Sequence, residues 1–134
     1  MPGMMVRNMS FKTGQTLTID GFPKAAATNF AMNIGTDEKD ITLHINPRFN
    51  AHGDENVVVC NSYQGGNWCE EVRAESFPFK LGEDFKMVIK FTPTEFQVNF
   101  SDGSTIHFPN RIGAEKYSVI SFDGDVHIKA ICIL

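Results

Sequence analysis

The sequence has no apolar run approaching the roughly 20 residues that a membrane-crossing helix needs, so membrane insertion is not expected. Its first residues, MPGMMVRNMSF, show no basic start leading into an apolar stretch and a small-residue cleavage site, so no secretory signal is expected either. Cysteine is scarce and odd in number. Cys60, Cys69 and Cys132 form neither a paired framework nor a zinc-ligand spacing, which predicts reduced thiols made in the cytosol and no metal centre. Basic charge is not in excess. Twelve Lys+Arg against sixteen Asp+Glu give a formal charge of −4, which argues against a nucleic-acid or anionic-lipid surface. Finally, no stretch carries a helical period over ten residues, no repeat recurs, and no linker divides the chain.

What is present is an ordinary globular composition, 42% hydrophobic and 21% charged over 134 residues, which predicts one domain spanning 1–134. A chain of this size buries roughly two-thirds of its unfolded surface and needs no staples. Short runs of apolar, β-branched and aromatic residues alternate with turn signals from end to end. The candidate strands are 15–20, 29–34, 41–49, 56–61, 85–91, 95–100, 104–107, 117–122 and 126–134. Between them lie Asp20-Gly21, Gly35-Thr36-Asp37, Gly53-Asp54, Gly65-Gly66, Leu81-Gly82, Asp102-Gly103 and Asp123-Gly124. This rhythm predicts an antiparallel all-β sandwich or barrel. Phenylalanine dominates the aromatics with twelve copies, and its alternating positions, such as Phe77/Phe79, read as core. The last run, from Val126 to Leu134, becomes apolar on both faces, so it is expected to be paired and covered. Met4-Met5-Val6 is apolar too, and the two ends lie either in one core or on a sheet edge shared with a partner chain.

The stretch that carries chemistry is Leu43-His44-Ile45-Asn46-Pro47-Arg48-Phe49-Asn50. In a strand, His44, Asn46 and Arg48 share one face while Leu43, Ile45 and Phe49 suit the core. Pro47 lacks a backbone donor and predicts an irregularity or bulge. Asn61 ends a later strand, and after Gly65-Gly66 come the only tryptophan, Trp68, and then Glu71 and Arg73 at i, i+2. Arginine only donates, ionised Glu71 only accepts, and asparagine and neutral histidine do both. Together with a flat indole, that inventory fits a neutral polyol whose one face is a C–H patch, such as galactose. Glu71 between Arg48 and Arg73 would hold all three charged and fixed. Each spacing alone also fits a solvated strand face. His52, directly after the site strand, is a further candidate, and Cys69, beside Trp68 in a Gly-rich polar stretch, reads either as an exposed thiol or as a small half-buried residue.

With His44-x-Asn46-x-Arg48 inside LHINPRFNAHGDENVVVCN, then Trp68-x-x-Glu71-x-Arg73, Phe77-Pro78-Phe79 and Phe108-Pro109-Asn110-Arg111, the chain resembles a galectin of the single-domain prototype kind. The resemblance runs the length of the sequence. It implies a jelly-roll β-sandwich of two antiparallel sheets and a β-galactoside ligand such as lactose or N-acetyllactosamine on glycoproteins and glycolipids. It also implies no catalysis, no cofactor, and residence in the cytoplasm and, by non-classical secretion, outside the cell. His44, Asn46 and Arg48 would take the galactose 4-OH, and Asn61 and Glu71 the 6-OH. Trp68 would stack on the ring, Glu71 and Arg73 would reach the N-acetylglucosamine, and His52 the 2-OH side. Prototype members pair through terminal strands, which implies a homodimer here, built on residues 4–9 and 126–134. Cys69-Glu70 departs from the small pair that relatives carry at that place.

Two other readings of the residues remain open at this stage. A β-sandwich glycosidase would need two carboxylates about 5–9.5 Å apart, whereas adjacent Glu70 and Glu71 point to opposite faces of a strand. An intracellular lipid-binding β-barrel has about this length but needs an internal cavity with inward-facing cations. If neutral His44 accepts from the sugar, binding is expected to weaken from pH 7.5 to 5 as the ring protonates.

Overall fold

The computed structural model describes residues 3–37 and 39–134, so of the 1–134 extent only Met1, Pro2 and Glu38 lie outside it. The alternation seen in the sequence folds into strands β1 (Met4–Val6), β2 (Phe11–Lys12), β3 (Thr16–Pro23), β4 (Phe30–Gly35), β5 (Ile41–Ala51), β6 (Asp54–Gln64) and β7 (Asn67–Trp68). After them come β8 (Val72–Arg73), β9 (Phe85–Phe91), β10 (Glu95–Asn99), β11 (Thr105–Pro109), β12 (Lys116–Tyr117), β13 (Val119–Gly124) and β14 (Val126–Ile133). One seven-stranded sheet runs β1-β13-β4-β5-β6-β7, with β8 also on β6; a five-stranded sheet runs β11-β10-β9-β3-β14; β2 and β12 form a small pair. All pairings are antiparallel, and the two large sheets enclose one core as a jelly-roll sandwich.

Each candidate strand has its counterpart. Tyr117, expected to open one of them, instead belongs to β12, and the strand proper starts at Val119. The two-residue strands β2, β7, β8 and β12 are too short for a period-two pattern and carried no signal of their own. The space between the sheets is filled by Phe11, Phe30, Phe79, Phe85, Phe91, Phe96, Phe100 and Phe108 with Leu17, Ile19, Met32 and Ile89. Many of these rings pack edge-to-face or stacked, as Phe30 does with Phe79 at 5.5 Å and 87°. Truncating such a phenylalanine to alanine costs about 3–5 kcal/mol. Two open sheets packed face to face around these side chains are not the closed barrel that a lipid-binding protein of this length would form.

The β5–β6 hairpin carries the candidate site, and its register follows from its turn. Ala51 pairs with Asp54 around His52-Gly53, which have φ of 53° and 80°, the two left-handed residues of a type I′ hairpin loop. The turn is therefore one residue earlier than the Gly53-Asp54 pair suggested. Gly65-Gly66, at φ 59° and 82°, close the β6–β7 hairpin in the same manner. The register sets outward residues in rows across the seven-stranded sheet. Asn61, His44, Asn33 and Ser121 form one row, and Arg73, Val59 and Asn46 form the next. Successive members are about 4.8 Å apart, one strand spacing.

The two ends lie on sheet edges, β1 beside β13 and β14 beside β3. Ile128, Ile131 and Ile133 turn inward against the core, with a bulge at Lys129, while Leu134 and Met4 remain 84% and 41% exposed. The terminal strand is thus paired, but it is covered on only one face.

Candidate functional site

The site begins with a backbone problem. Continuing the β4–β5 register from Met32↔Ile45 to the bridge Asn29↔Arg48 sets Phe30 opposite Pro47, which has no N–H to give. The Phe30 carbonyl accepts instead from Asn46 Nδ2 at 2.7 Å, and the same amide reaches Asn29 Oδ1 at 3.2 Å. The irregularity expected at Pro47 is therefore on the β4 side, where the regular ladder stops short of it and both Phe49 and Asn50 N–H groups donate to the Thr28 carbonyl. On the β6 side Pro47 stays in register with Val58, and the side chain of its neighbour mends the ladder. With its NH2 committed, Asn46 presents Oδ1 to Arg48 Nε–H at 2.8 Å. The proline, the asparagine and the arginine thus form one chain of cause that aims the guanidinium.

That guanidinium sits in a four-membered ring of alternating charge. Arg48 Nη1 donates to Asp54 Oδ2 at 2.7 Å, and Arg73 donates to the two Asp54 oxygens at 2.9 and 3.2 Å. Glu71 closes the ring at 3.5 Å from Arg73 Nη2 and 3.9 Å from Arg48 Nη2. Hydrogen bonds from Arg73 and then Arg48 hold the Asp54 carboxyl below the usual carboxylate range, and Asp54 in turn raises Arg73. Glu71 does lie between the two arginines, as the spacing suggested, but Asp54 is the shorter and firmer link.

Trp68 stands at the end of this array, 52% exposed, with its ring 4.6 Å from the His44 ring and 5.0 Å from that of Tyr63. The chain after it is tied down from behind. Asn61 Nδ2 donates to the Cys69 carbonyl at 3.0 Å, and Arg111 donates to the Glu70 carbonyl at 2.8 Å and to Ser62 Oγ at 3.1 Å. Arg111 also lies over the Phe108 ring at 4.6 Å, so it is fixed at both ends. Cys69 is exposed on the groove wall, the exposed one of its two readings, with its thiol 3.7 Å from Gln64 Nε2.

These residues line an open groove of about 570 Å³ bounded by Asn29, Ala31, His44, Asn46, Arg48 and His52 on one part. Val59, Asn61, Trp68, Cys69, Glu71 and Asp123 complete it. Of the eight residues picked from the sequence, His44, Asn46, Arg48, His52, Asn61, Trp68 and Glu71 border it together. Arg73 does not; it braces Asp54 and Glu71 from the next depression, where Glu75, Ser76 and His107 are its neighbours. Small Ala31 and Val59 leave the groove floor open on either side of Asn46.

His44 Nδ1 lies 2.6 Å from Asn33 Oδ1, and burial, then the charges of Arg48 and His52, push its pKa down from 6.5 to about 4. The ring is therefore neutral well below pH 6, which corrects the expectation that it titrates between pH 7.5 and 5. Every buried side-chain nitrogen and oxygen among the described residues has a partner. No group of three or more His, Cys, Asp or Glu is set to hold a metal among them.

Residues that the sequence reading passed over are Asp54, Asn29, Asn33, Asp123 and Arg111. Asp54 and Asp123 sat inside turn signals, which drew attention to their backbone and away from their carboxylates. Arg111 closes the Phe108-Pro109-Asn110-Arg111 pattern, which by itself gives it no partner.

A polar groove with donors and acceptors already fixed, beside a bare indole, is suited to hydroxyl-bearing rings. The comparisons with known proteins point the same way. The family model for galactoside-binding lectins matches residues 2–133. A β-galactoside-binding lectin of Electrophorus electricus is 51% identical over 131 residues, covering 98% of this chain and 97% of that protein. Lactose- and MES-liganded congerin II superposes with a TM-score of 0.94 at 34% identity, over 98% of each chain. CG-16, a homodimeric agglutinin from chicken liver, superposes with a TM-score of 0.93 at 37% identity, again over 98% of each. Fold, groove and kinship agree, and the chain belongs to the galactoside-binding lectin family, the galectins.

Proposed function

We propose that this protein binds lactose and N-acetyllactosamine-type β-galactosides in the groove along β5, β6 and β7, and that it cross-links glycoconjugates as a homodimer. The observation that carries the reading is the row His44, Asn46, Arg48 with every non-ligand hydrogen bond already assigned, set against the exposed face of Trp68. A galactose ring stacked on Trp68 would turn its axial 4-OH toward that row and its 6-OH toward Asn61 and Glu71. The congerin II complex with lactose and the homodimeric chicken agglutinin support the ligand and the assembly, respectively. Two such sites on one dimer raise avidity for multivalent glycans without tightening either site.

We read the protein as a binder and not an enzyme. Glu71 and Asp54 are engaged by two guanidiniums, and Asp123 by the Asn33 amide, which commits the carboxylates of this region to holding neighbours in place. It is proposed to act in the cytoplasm and outside the cell. Three free thiols suit assembly in a reducing compartment, and the glycans it would cross-link face the exterior.

Isothermal titration of reduced protein with lactose, with sucrose as control, tests the reading. Saturable heat with lactose alone, at one sugar per chain, is expected. No heat with lactose from folded protein would overturn it.

A further inference from the structure

We propose that Asp123, acting through Asn33, fixes His44 as the Nδ1–H tautomer and so makes Nε2 an obligate acceptor for a sugar hydroxyl. The argument is a chain of donors and acceptors. Asn33 Nδ2 lies 3.1 Å from Asp123 Oδ2 and 3.2 Å from Ser121 Oγ. An ionised carboxylate has no proton to offer, so the end of the Asn33 amide that faces it must be the NH2. The other end, Oδ1, then faces His44 Nδ1 at 2.6 Å, and two acceptors do not sit at that distance. The proton is therefore on Nδ1. A neutral imidazole carries only one, which leaves Nε2 with a bare lone pair and no protein partner among the described residues.

Position supports the assignment. Asn33 is buried between β13 and β5, one strand from each, and has no room to exchange partners with water. Asp123 is held by the residue after it. Gly124 adopts φ 86°, and a Cβ there would come within 2.8 Å of the Asn29 carbonyl, so the end of β13 is pressed against β4 at this place. The reverse tautomer would require the Asn33 amide to turn its oxygen on Asp123, acceptor against acceptor.

The consequence is selectivity by hydrogen-bond direction. His44 can take a hydroxyl proton but cannot donate to an ether or carbonyl oxygen, so a ligand lacking the hydroxyl leaves a half-buried lone pair unpaired. What Nε2 accepts from rests on the lectin reading above; the tautomer does not. Asn33 and Asp123 are positioning residues for His44; Asp123 also borders the groove, so the ring's tautomer and not affinity alone is the readout that separates its two contributions.

Long-range ¹H–¹⁵N correlation of the histidine rings at pH 7, on sugar-free protein, tests this directly. A pyrrole-type Nδ1 and a pyridine-type Nε2 are expected for His44, and the opposite pattern overturns the proposal without any variant. Asp123→Asn keeps the side-chain shape and removes both its charge and its acceptor-only character. It is expected to mix the tautomers and lower lactose affinity about three- to tenfold. The exchanged pair Asn33→Asp with Asp123→Asn keeps the charge and again sets an acceptor-only group against His44, so the single Nδ1–H tautomer should return; because a carboxylate beside the ring raises its pKa, this pair is read by its tautomer at about pH 8.5 and not by affinity. An unchanged tautomer in D123N, or a double variant with tautomers as mixed as in D123N, also overturns it. Wild-type protein with the Nδ1–H ring but no lactose binding would instead sink the lectin reading and leave this one standing.

Discussion

Asp54 accepts from both arginines of the site, from Arg48 at 2.7 Å and from Arg73 at 2.9 Å, so one carboxylate aligns two guanidiniums. Arg48 borders the groove and Arg73 does not, which makes Asp54 the link between the groove-lining cation and its support. Asp54→Asn is expected to lower lactose affinity about fivefold, more than Arg73→Ala does, with little change in melting temperature. Calorimetry on both variants checks it. Equal or smaller loss for Asp54→Asn would mean that Arg48 holds its position without this partner.

Arg48 uses its fork in three directions, Nε–H to Asn46, Nη1 to Asp54 and Nη2 toward Glu71. Lysine keeps the charge and loses that geometry. Arg48→Ala is therefore expected to cost about 2–4 kcal/mol of lactose binding, and Arg48→Lys to recover little of it. Near-wild-type binding by the lysine variant would reduce the role of Arg48 to bulk charge.

Trp68 is the only tryptophan, so its emission reports the groove without a background. Stacking of a C–H face over the exposed indole should shift and change that emission as lactose saturates. Trp68→Ala should weaken binding by about 1–2 kcal/mol beyond what Trp68→Phe loses. An emission spectrum indifferent to saturating lactose would remove the stacking contact from the model of binding.

Much of the site was legible because it obeys period two. His44, Asn46 and Arg48 needed only a strand assignment, and nothing about distant pairing, to fall on one face. Asn33 and Asp123 stand 90 positions apart and meet because β13 inserts between β1 and β4, an order that local pattern does not encode. Asp54 was missed for a related reason. Its role appears only when the His52-Gly53 turn sets the register of β6 and brings Arg73 of β8 across Val59. The phenylalanines announced a core but not its packing, and the burial that alters His44 depends on neighbours from three strands.

The chain ends put apolar side chains on an open edge of each large sheet, with Leu134 84% and Met4 41% exposed. Pairing with a second copy through these edges would remove both from water. Wild-type protein is expected to sediment as a dimer of 15.0 kDa chains, and Met4→Asp with Leu134→Asp as a monomer. Neither residue borders the groove, so lactose binding per chain should stay unchanged while agglutination is lost. A wild-type monomer at tens of micromolar, or a dimeric double variant, would place the interface elsewhere or nowhere.

The pH dependence of binding follows from His44, whose pKa burial and the charges of Arg48 and His52 lower to about 4. Proton and sugar hydroxyl compete for the same lone pair, so affinity should stay level from pH 7.5 to 5 and fall about twofold by pH 4 and tenfold by pH 3. Asp123, Glu71 and Asp54 face the same region; hydrogen bonds from the arginines keep Asp54 ionised below the ordinary carboxylate range, so it does not set the first step. Stability has a different window. The unfolded ring protonates near 6.5 and the folded ring near 4, so the unfolded state binds the extra proton between those values and stability declines as pH falls through them. His44→Gln should lack that component of the decline, which melting curves from pH 7 to 4 would show. Lactose affinity that dropped severalfold between pH 7.5 and 5, on protein still folded, would mean that the ring titrates near its ordinary value and that its burial beside Arg48 does not govern recognition.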